Sequence, residues 1–170
     1  MVMSSGRKQT LAGGASLDGA WGGDDAALAS RSSEFGIFFG GLRISNLNSS
    51  CIRCLCHVTG CDLSHKCTDG YCGPFYISRV YWVDAGKPTL PDDDPNRKEA
   101  FEDCARDYNC SIRIVESYMA KFGKDCNGNG VTNCFDYMMI NFHGGRACSE
   151  PLFLSPQGLK WLAHYQQCRF

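Results

Sequence analysis

The sequence predicts a small, disulfide-rich α+β domain that is mostly helical. Three observations carry this. All twelve cysteines lie beyond residue 50, and six of them fall within residues 51–72. Four later segments repeat apolar residues at three- and four-residue steps, the period of a helix that packs by one face. One short run, Phe75-Tyr76-Ile77, is aromatic and β-branched, as a strand would be.

Composition narrows the compartment and the partners. At 170 residues the chain fits one domain with a tail. A formal charge of −1 offers no attraction to nucleic acid or an anionic membrane. No apolar run approaches the ~18 residues that span a bilayer. An even, heavy cysteine load reads as an extracellular disulfide framework. Zinc is the rival. Cys51-x-x-Cys54 has zinc-ligand spacing, but Cys56 crowds it and no second ligand pair follows at the right distance. Residues 1–50 are expected to be a disordered N-terminal extension, with no export signal visible in them, and residues 51–170 the folded domain. Asn48-Ser49-Ser50 and Asn109-Cys110-Ser111 are glycosylation sequons.

The elements follow in chain order. Residues 51–72 carry little apolar surface and are expected to be held by covalent links. Gly73-Pro74 is a turn and Phe75–Ile77 a short strand. Val80–Val83 reads equally as a strand or a helix end. Thr89–Asn96, with two prolines and three consecutive aspartates, is a surface loop. Arg97–Tyr108 is helix-like, with Ala100, Phe101, Cys104 and Ala105 on one face. Asn109–Gly123 is a stronger helix, with Ile112, Val115, Met119 and Phe122 in step and Gly123 as its stop. Phe135–Phe142 is a third helix. Ser155–Gln167 is a fourth, with Ser155 as N-cap and Pro156 at the first helical position.

The connection between the second and third helices has the pattern of a calcium loop. Asp125, Asn127, Asn129, Asn133 and Asp136 put side-chain oxygens at loop positions 1, 3, 5, 9 and 12. Gly130 holds the sharp turn at position 6, and the Val131 carbonyl would be the seventh-position ligand. Calcium is therefore a candidate cofactor, though none is required. Only two of these side chains are charged, so affinity would be modest, about 10⁻⁴–10⁻³ M. The alternative is an Asn-Gly connection held by Asx turns and the cysteines within it.

From Cys51 onward the chain resembles the destabilase family of invertebrate-type lysozymes. The resemblance rests on Cys51-x-x-Cys-x-Cys56, on Cys61, Cys67 and Cys72, and on Cys72-Gly-x-Phe75. It continues through Tyr81-Trp-x-Asp-x-Gly-x-Pro88, Tyr118-Met-x-x-Phe122 and Gly144-Gly-x-x-Cys148. It implies a lysozyme-like fold and the bridges Cys51–Cys134, Cys54–Cys168, Cys56–Cys61, Cys67–Cys72, Cys104–Cys110 and Cys126–Cys148. It also implies hydrolysis of the β-1,4 bond of bacterial peptidoglycan, in defence or digestion.

That chemistry needs a carboxylic acid with a raised pKa and a second carboxylate beside the anomeric carbon. Family members carry the acid in Cys-x-x-Glu-Ser-Gly-Cys. Here the segment is Cys56-His-Val-Thr-Gly-Cys61, one residue shorter, and Thr59 stands where Glu is expected. A threonine hydroxyl is no general acid near neutral pH. Asp69, between Cys67 and Cys72, is the candidate second carboxylate, and His57 a candidate substitute donor. His143, before Gly144-Gly145, is a candidate for isopeptidase chemistry with Ser78 or Ser64; its alternative role is to face the helix C-terminal dipole. Tyr71, Phe75, Tyr76, Tyr81 and Trp82 are candidate saccharide contacts, with core packing the alternative for Phe75 and Trp82.

Two functions are thus expected. One is a peptidoglycan hydrolase weakened or inactivated by the missing acid. The other is a non-catalytic saccharide-binding module on the lysozyme fold, with calcium as a candidate stabiliser.

Overall fold

The computed structural model describes residues 46–170. Most of the extension expected over residues 1–50 lies outside them. Residues 46–50 lead into the first helix. The elements are α1 (Ser49–Thr59), β1 (Cys67–Thr68), β2 (Tyr71–Cys72), β3 (Ile77–Ser78), α2 (Arg79–Asp84), α3 (Ala100–Arg106), α4 (Tyr108–Phe122), α5 (Cys134–His143) and α6 (Pro156–Tyr165). A single 3₁₀ turn, Leu152–Leu154, precedes α6. The class is the mostly helical α+β domain that the sequence predicts.

Helix α1 forms where the sequence reading expects only a segment with little apolar surface held by covalent links, and it buries Ile52, Leu55 and Val58 as well as its cysteines. The Asn48 side chain caps it by accepting from the Cys51 amide at 2.9 Å. Cys51, Cys54, Leu55 and Val58 recur at helical spacing and are all buried. Gly60, in left-handed conformation, ends the helix. The buried face packs on α5 and α6, within a core that includes Leu55, Val58, Ile114, Met119, Met138 and Ile140.

The sheet is three short antiparallel strands in the order β1-β2-β3. Cys67 pairs with Cys72 and Thr68 with Tyr71, so Asp69-Gly70 is a two-residue hairpin loop. Both loop residues have positive φ, 53° and 82°, which Asp-Gly supplies in a type I′ turn. The expected strand over Phe75–Ile77 shifts to Ile77–Ser78, because Phe75 and Tyr76 belong to the turn that Gly73 opens. Val80–Val83 resolves as helix, with Ser78 accepting from the Tyr81 amide at 3.2 Å as its cap.

The helix expected from Arg97 starts at Ala100. Arg97 is instead drawn to carboxylates, with Nε 2.7 Å from Asp93 and Nη2 2.6 Å from Asp103. Asp107, in extended conformation, separates α3 from α4 and caps α4 by accepting from the Cys110 amide at 2.7 Å. Ser155 and Pro156 open α6 as N-cap and first residue.

Six disulfides close the domain: Cys51–Cys134, Cys54–Cys168, Cys56–Cys61, Cys67–Cys72, Cys104–Cys110 and Cys126–Cys148. These are the pairs that the family resemblance implies, and none of the twelve cysteines is left free. Through them α1 is bonded to α5, to the segment after α6, and to its own C-terminal loop.

Candidate functional site

Thr59 is the last residue of α1 and is half-buried. Its Oγ1 donates to the Pro74 carbonyl at 2.6 Å, with the Cys56 and Leu55 carbonyls at 2.8 and 3.3 Å. One hydroxyl proton serves one of these at a time, and the shortest contact joins the helix end to the Gly73-Pro74 turn. Gly73 allows that turn: its φ is +68°, and a Cβ there would lie 1.7 Å from the Ala105 carbonyl oxygen. The surroundings of residue 59 are therefore carbonyl oxygens at a helix C-terminus. Both features disfavour negative charge and would raise the pKa of a carboxylic acid placed here. The scaffold suits a protonated acid, and the chain supplies a hydroxyl.

The two carboxylates that follow Thr59 in the sequence, Asp62 and Asp69, are both exposed. Asp62 follows Cys61. Its Oδ1 accepts from the Ser64 hydroxyl at 2.6 Å and from the Ser64 amide at 2.8 Å. Chiefly that hydroxyl bond holds the carboxyl below its ordinary range, the opposite of what a general acid needs. Asp69 is exposed at the hairpin tip, and its side chain makes no hydrogen bond to the described residues. An aspartate also suits the positive φ that this turn position requires.

His57 lies two residues before Thr59, about 200° around the helix, and so faces away from it. It sits beside His164, with ring centroids 5.5 Å apart, in a cleft lined also by Arg53 and Arg169. His143 ends α5 with its ring edge-on to Phe142 and its Nε2 enclosed without a partner. The serines considered as its partners are engaged elsewhere, Ser78 as the α2 cap and Ser64 on Asp62. The two glycines after His143 have a packing role. A Cβ on Gly145 would come within 2.4 Å of the Phe122 side chain, and the Gly145 amide donates to the Tyr118 hydroxyl at 3.1 Å.

The aromatic candidates divide. Tyr71 and Tyr76 are 47% and 44% exposed. Tyr76 stacks on His65 with centroids 4.5 Å apart, and Tyr71 lies 6.3 Å from Tyr76. Together they form an exposed aromatic surface on the hairpin. Phe75 is only 1% exposed and packs against Tyr108, so the expectation that it touches a saccharide is corrected: it is core. Trp82 is buried too, with Nε1 donating to the Pro88 carbonyl at 2.7 Å. Tyr81 stacks on Tyr118 at 3.6 Å, and its hydroxyl is enclosed without a hydrogen-bond partner. Burial, with the Tyr118 phenol beside it, pushes that hydroxyl well above the ordinary 10. Its polar end is therefore not presented to solvent. His65 beside Tyr76 was not singled out from the sequence. Only the spacing of a histidine before the hairpin hints at it.

The 125–136 loop directs its oxygens at its own backbone. Asp136 is fully buried. Its Oδ1 accepts from the Cys126 and Asn127 amides at 2.9 and 3.4 Å, and its Oδ2 from the Asn133 amide at 2.8 Å, closing the capping box of α5. Asp125 accepts from the Gly130, Gly128 and Asn129 amides at 2.7, 2.8 and 3.3 Å. The Gly130 amide leads in holding the Asp125 carboxyl below its usual range. Asn127, Asn129 and Asn133 each accept from a backbone amide two residues on, at 3.1, 2.9 and 2.9 Å. Val131 is exposed. This donor set fits calcium poorly, since the carboxylate of the twelfth position is buried on three amides.

A mostly helical α+β domain, laced by six disulfides and carrying a hairpin beside the end of its first helix, is a lysozyme-like architecture. The destabilase family model matches residues 48–168. The chain belongs to that family, the invertebrate-type lysozymes. It is 34% identical over 112 residues to a protein named lysozyme from Magallana gigas, covering 63% of this chain and 73% of that one. It is 33% identical over 116 residues to a lysozyme from Ostrea edulis, covering 64% and 75%. It is 27% identical over 112 residues to invertebrate-type lysozyme 6 of Caenorhabditis elegans, covering 63% and 80%. A chain in the crystal structure of Aeromonas hydrophila PliI in complex with Meretrix lusoria lysozyme shares the fold. There the TM-score is 0.54 at 22% identity, covering 71% of this chain and 88% of that chain.

Proposed function

We propose that this chain is an extracellular invertebrate-type lysozyme directed at bacterial peptidoglycan, with turnover of the β-1,4 glycosidic bond far below that of a member carrying the acid. The observation that carries this is Thr59, whose hydroxyl is spent on the Pro74 carbonyl where a proton donor is needed. A positioned general acid contributes about 10²–10⁴-fold to such a reaction. Asp69, the remaining candidate carboxylate, sits at a solvated turn, and His57 faces another cleft. No cofactor is required in this reading. Among the described residues no helix is long and apolar enough to cross a membrane, and six disulfides suit an oxidising compartment.

The saccharide-binding reading draws on one specific feature, the exposed Tyr71 and Tyr76 rings, with Tyr76 stacked on the half-buried His65. Binding to the wall then persists where cleavage is lost. One experiment covers both. Insoluble peptidoglycan is incubated with the protein, bound protein is sedimented, and released reducing ends are counted. The expected result is retention on the wall with little release, unchanged by Asp69→Asn. Vigorous release abolished by Asp69→Asn would overturn the proposal.

A further inference from the structure

A second cleft, of about 570 Å³, lies at the opposite end of α1 from Thr59, about 16 Å along the helix. Its polar wall is five asparagines: Asn46, Asn48, Asn127, Asn129 and Asn133. Its apolar wall is Phe135, Tyr165 and Phe170. The Phe135 and Tyr165 rings meet edge-on at 5.3 Å, and Phe170 lies 5.7 Å from Tyr165. No side chain with a formal charge lines it.

The hydrogen bonds of the asparagines decide what the cleft can hold. Asn48 accepts from the Cys51 amide, Asn127 from Asn129, Asn129 from Val131, and Asn133 from Phe135. Each partner is a backbone N–H, so the engaged atom must be the oxygen and the other end the NH₂ group. Four side-chain oxygens are thus committed, while Asn46 is the reverse case, its NH₂ donating to the Thr132 carbonyl at 2.6 Å. Four NH₂ groups, each with two donors, have no acceptor among the described residues. A cation is disfavoured by such a lining, and an anion finds no Lys, Arg or His in it. An uncharged ligand rich in acceptors, with an apolar face for the aromatic wall, fits both sides.

We propose that this cleft is a second saccharide site, binding β-linked N-acetylglucosamine units. The amide donors meet hydroxyl and acetamido oxygens, and Tyr165 and Phe170 cover the apolar face of a ring. The site contains no residue of the Thr59 region, so it operates whether or not that region turns over substrate.

The test uses ¹⁵N-labelled protein free of glycan at Asn48, since that residue opens a sequon and lines the cleft. Chitotetraose and cellotetraose are titrated in parallel. With chitotetraose, the side-chain NH₂ signals of Asn127, Asn129 and Asn133 shift and saturate. The double variant Asn127→Asp, Asn129→Asp keeps an acceptor oxygen for each turn but removes the donors, and weakens binding about tenfold or more with its melting temperature retained. Phe170→Ala, at an exposed position, weakens it about threefold or more without touching the loop. Unmoved asparagine signals, shifts confined to Tyr71 and Tyr76, or unchanged affinity in both variants would overturn the proposal. Cellotetraose bound as tightly as chitotetraose would overturn its acetamido assignment.

Discussion

The two ends of α1 use polar side chains in opposite ways. At the C-terminal end, a carbonyl-lined setting that suits a protonated acid holds Thr59, whose single proton goes to the Pro74 carbonyl. At the N-terminal end, a run of oxygens spaced like cation ligands spends those oxygens on backbone amides and turns NH₂ groups outward. The chemistry available at each end is what remains after the backbone has been satisfied. Counting residue types overstates it at both: at residue 59 the hydroxyl is already engaged by a carbonyl, and in the 125–136 loop the aspartate and asparagine oxygens already accept from backbone amides.

The bridges anchoring the two ends differ in kind, and this gives the largest expected effect. Cys51–Cys134 closes 83 residues at the N-terminal end, whereas Cys56–Cys61 closes 5 at the C-terminal end. Replacing both cysteines by serine should cost about 4–5 kcal/mol for the first pair and about 2 kcal/mol for the second in the chain-entropy account. Denaturant titration of the two double variants checks the order. Equal losses would mean that local packing, and not loop closure, dominates.

Asp136→Asn replaces one buried acceptor by a donor that faces an amide. It should cost about 1–3 kcal/mol and loosen the 125–136 loop, read by thermal unfolding and amide exchange. Millimolar calcium should leave the wild-type melting temperature unchanged. Tyr76→Ala and Tyr71→Ala, on the exposed hairpin surface, should each weaken wall binding about three- to tenfold with stability held within about 0.5 kcal/mol. Sedimentation on insoluble peptidoglycan measures that.

The smallest effect concerns acid stability. The Asp125 carboxyl sits below its ordinary 3.8 in the folded chain, first through the Gly130 amide. A depressed folded pKa contributes stability above the unfolded value and loses it as pH falls through the folded one. Asp125→Asn should therefore flatten the decline of stability below about pH 4. A circular-dichroism acid titration with the same slope for both proteins would show that the carboxylate adds nothing.

Much of the fold is legible in the sequence, and the failures have physical causes. The four later helices follow from apolar periodicity, with Ser155-Pro156 marking the start of α6. Helix α1 goes unread because its cysteines are counted as bridge partners. Yet Cys51, Cys54, Leu55 and Val58 have helical spacing, and a bonded cysteine fills the core as a small apolar group. The Asp-Gly turn signal between Thr68 and Tyr71 goes unread as well, because Asp69 is weighed only by its place between two cysteines. Phe75 and Tyr76 are neighbours of similar type, and only the turn opened by Gly73 decides that one is core and the other surface. Which end of each asparagine is free depends on backbone geometry that no spacing encodes.

The central claim is that residue 59 limits hydrolysis. It is tested by counting reducing ends released from peptidoglycan by the wild type and by Thr59→Glu in one assay. A glutamic acid returned to the carbonyl-lined helix end should raise release about 10²-fold or more, with a profile that falls as the new acid ionises. A wild type that already cleaves vigorously, and loses activity when Thr59 becomes Glu, would contradict the account.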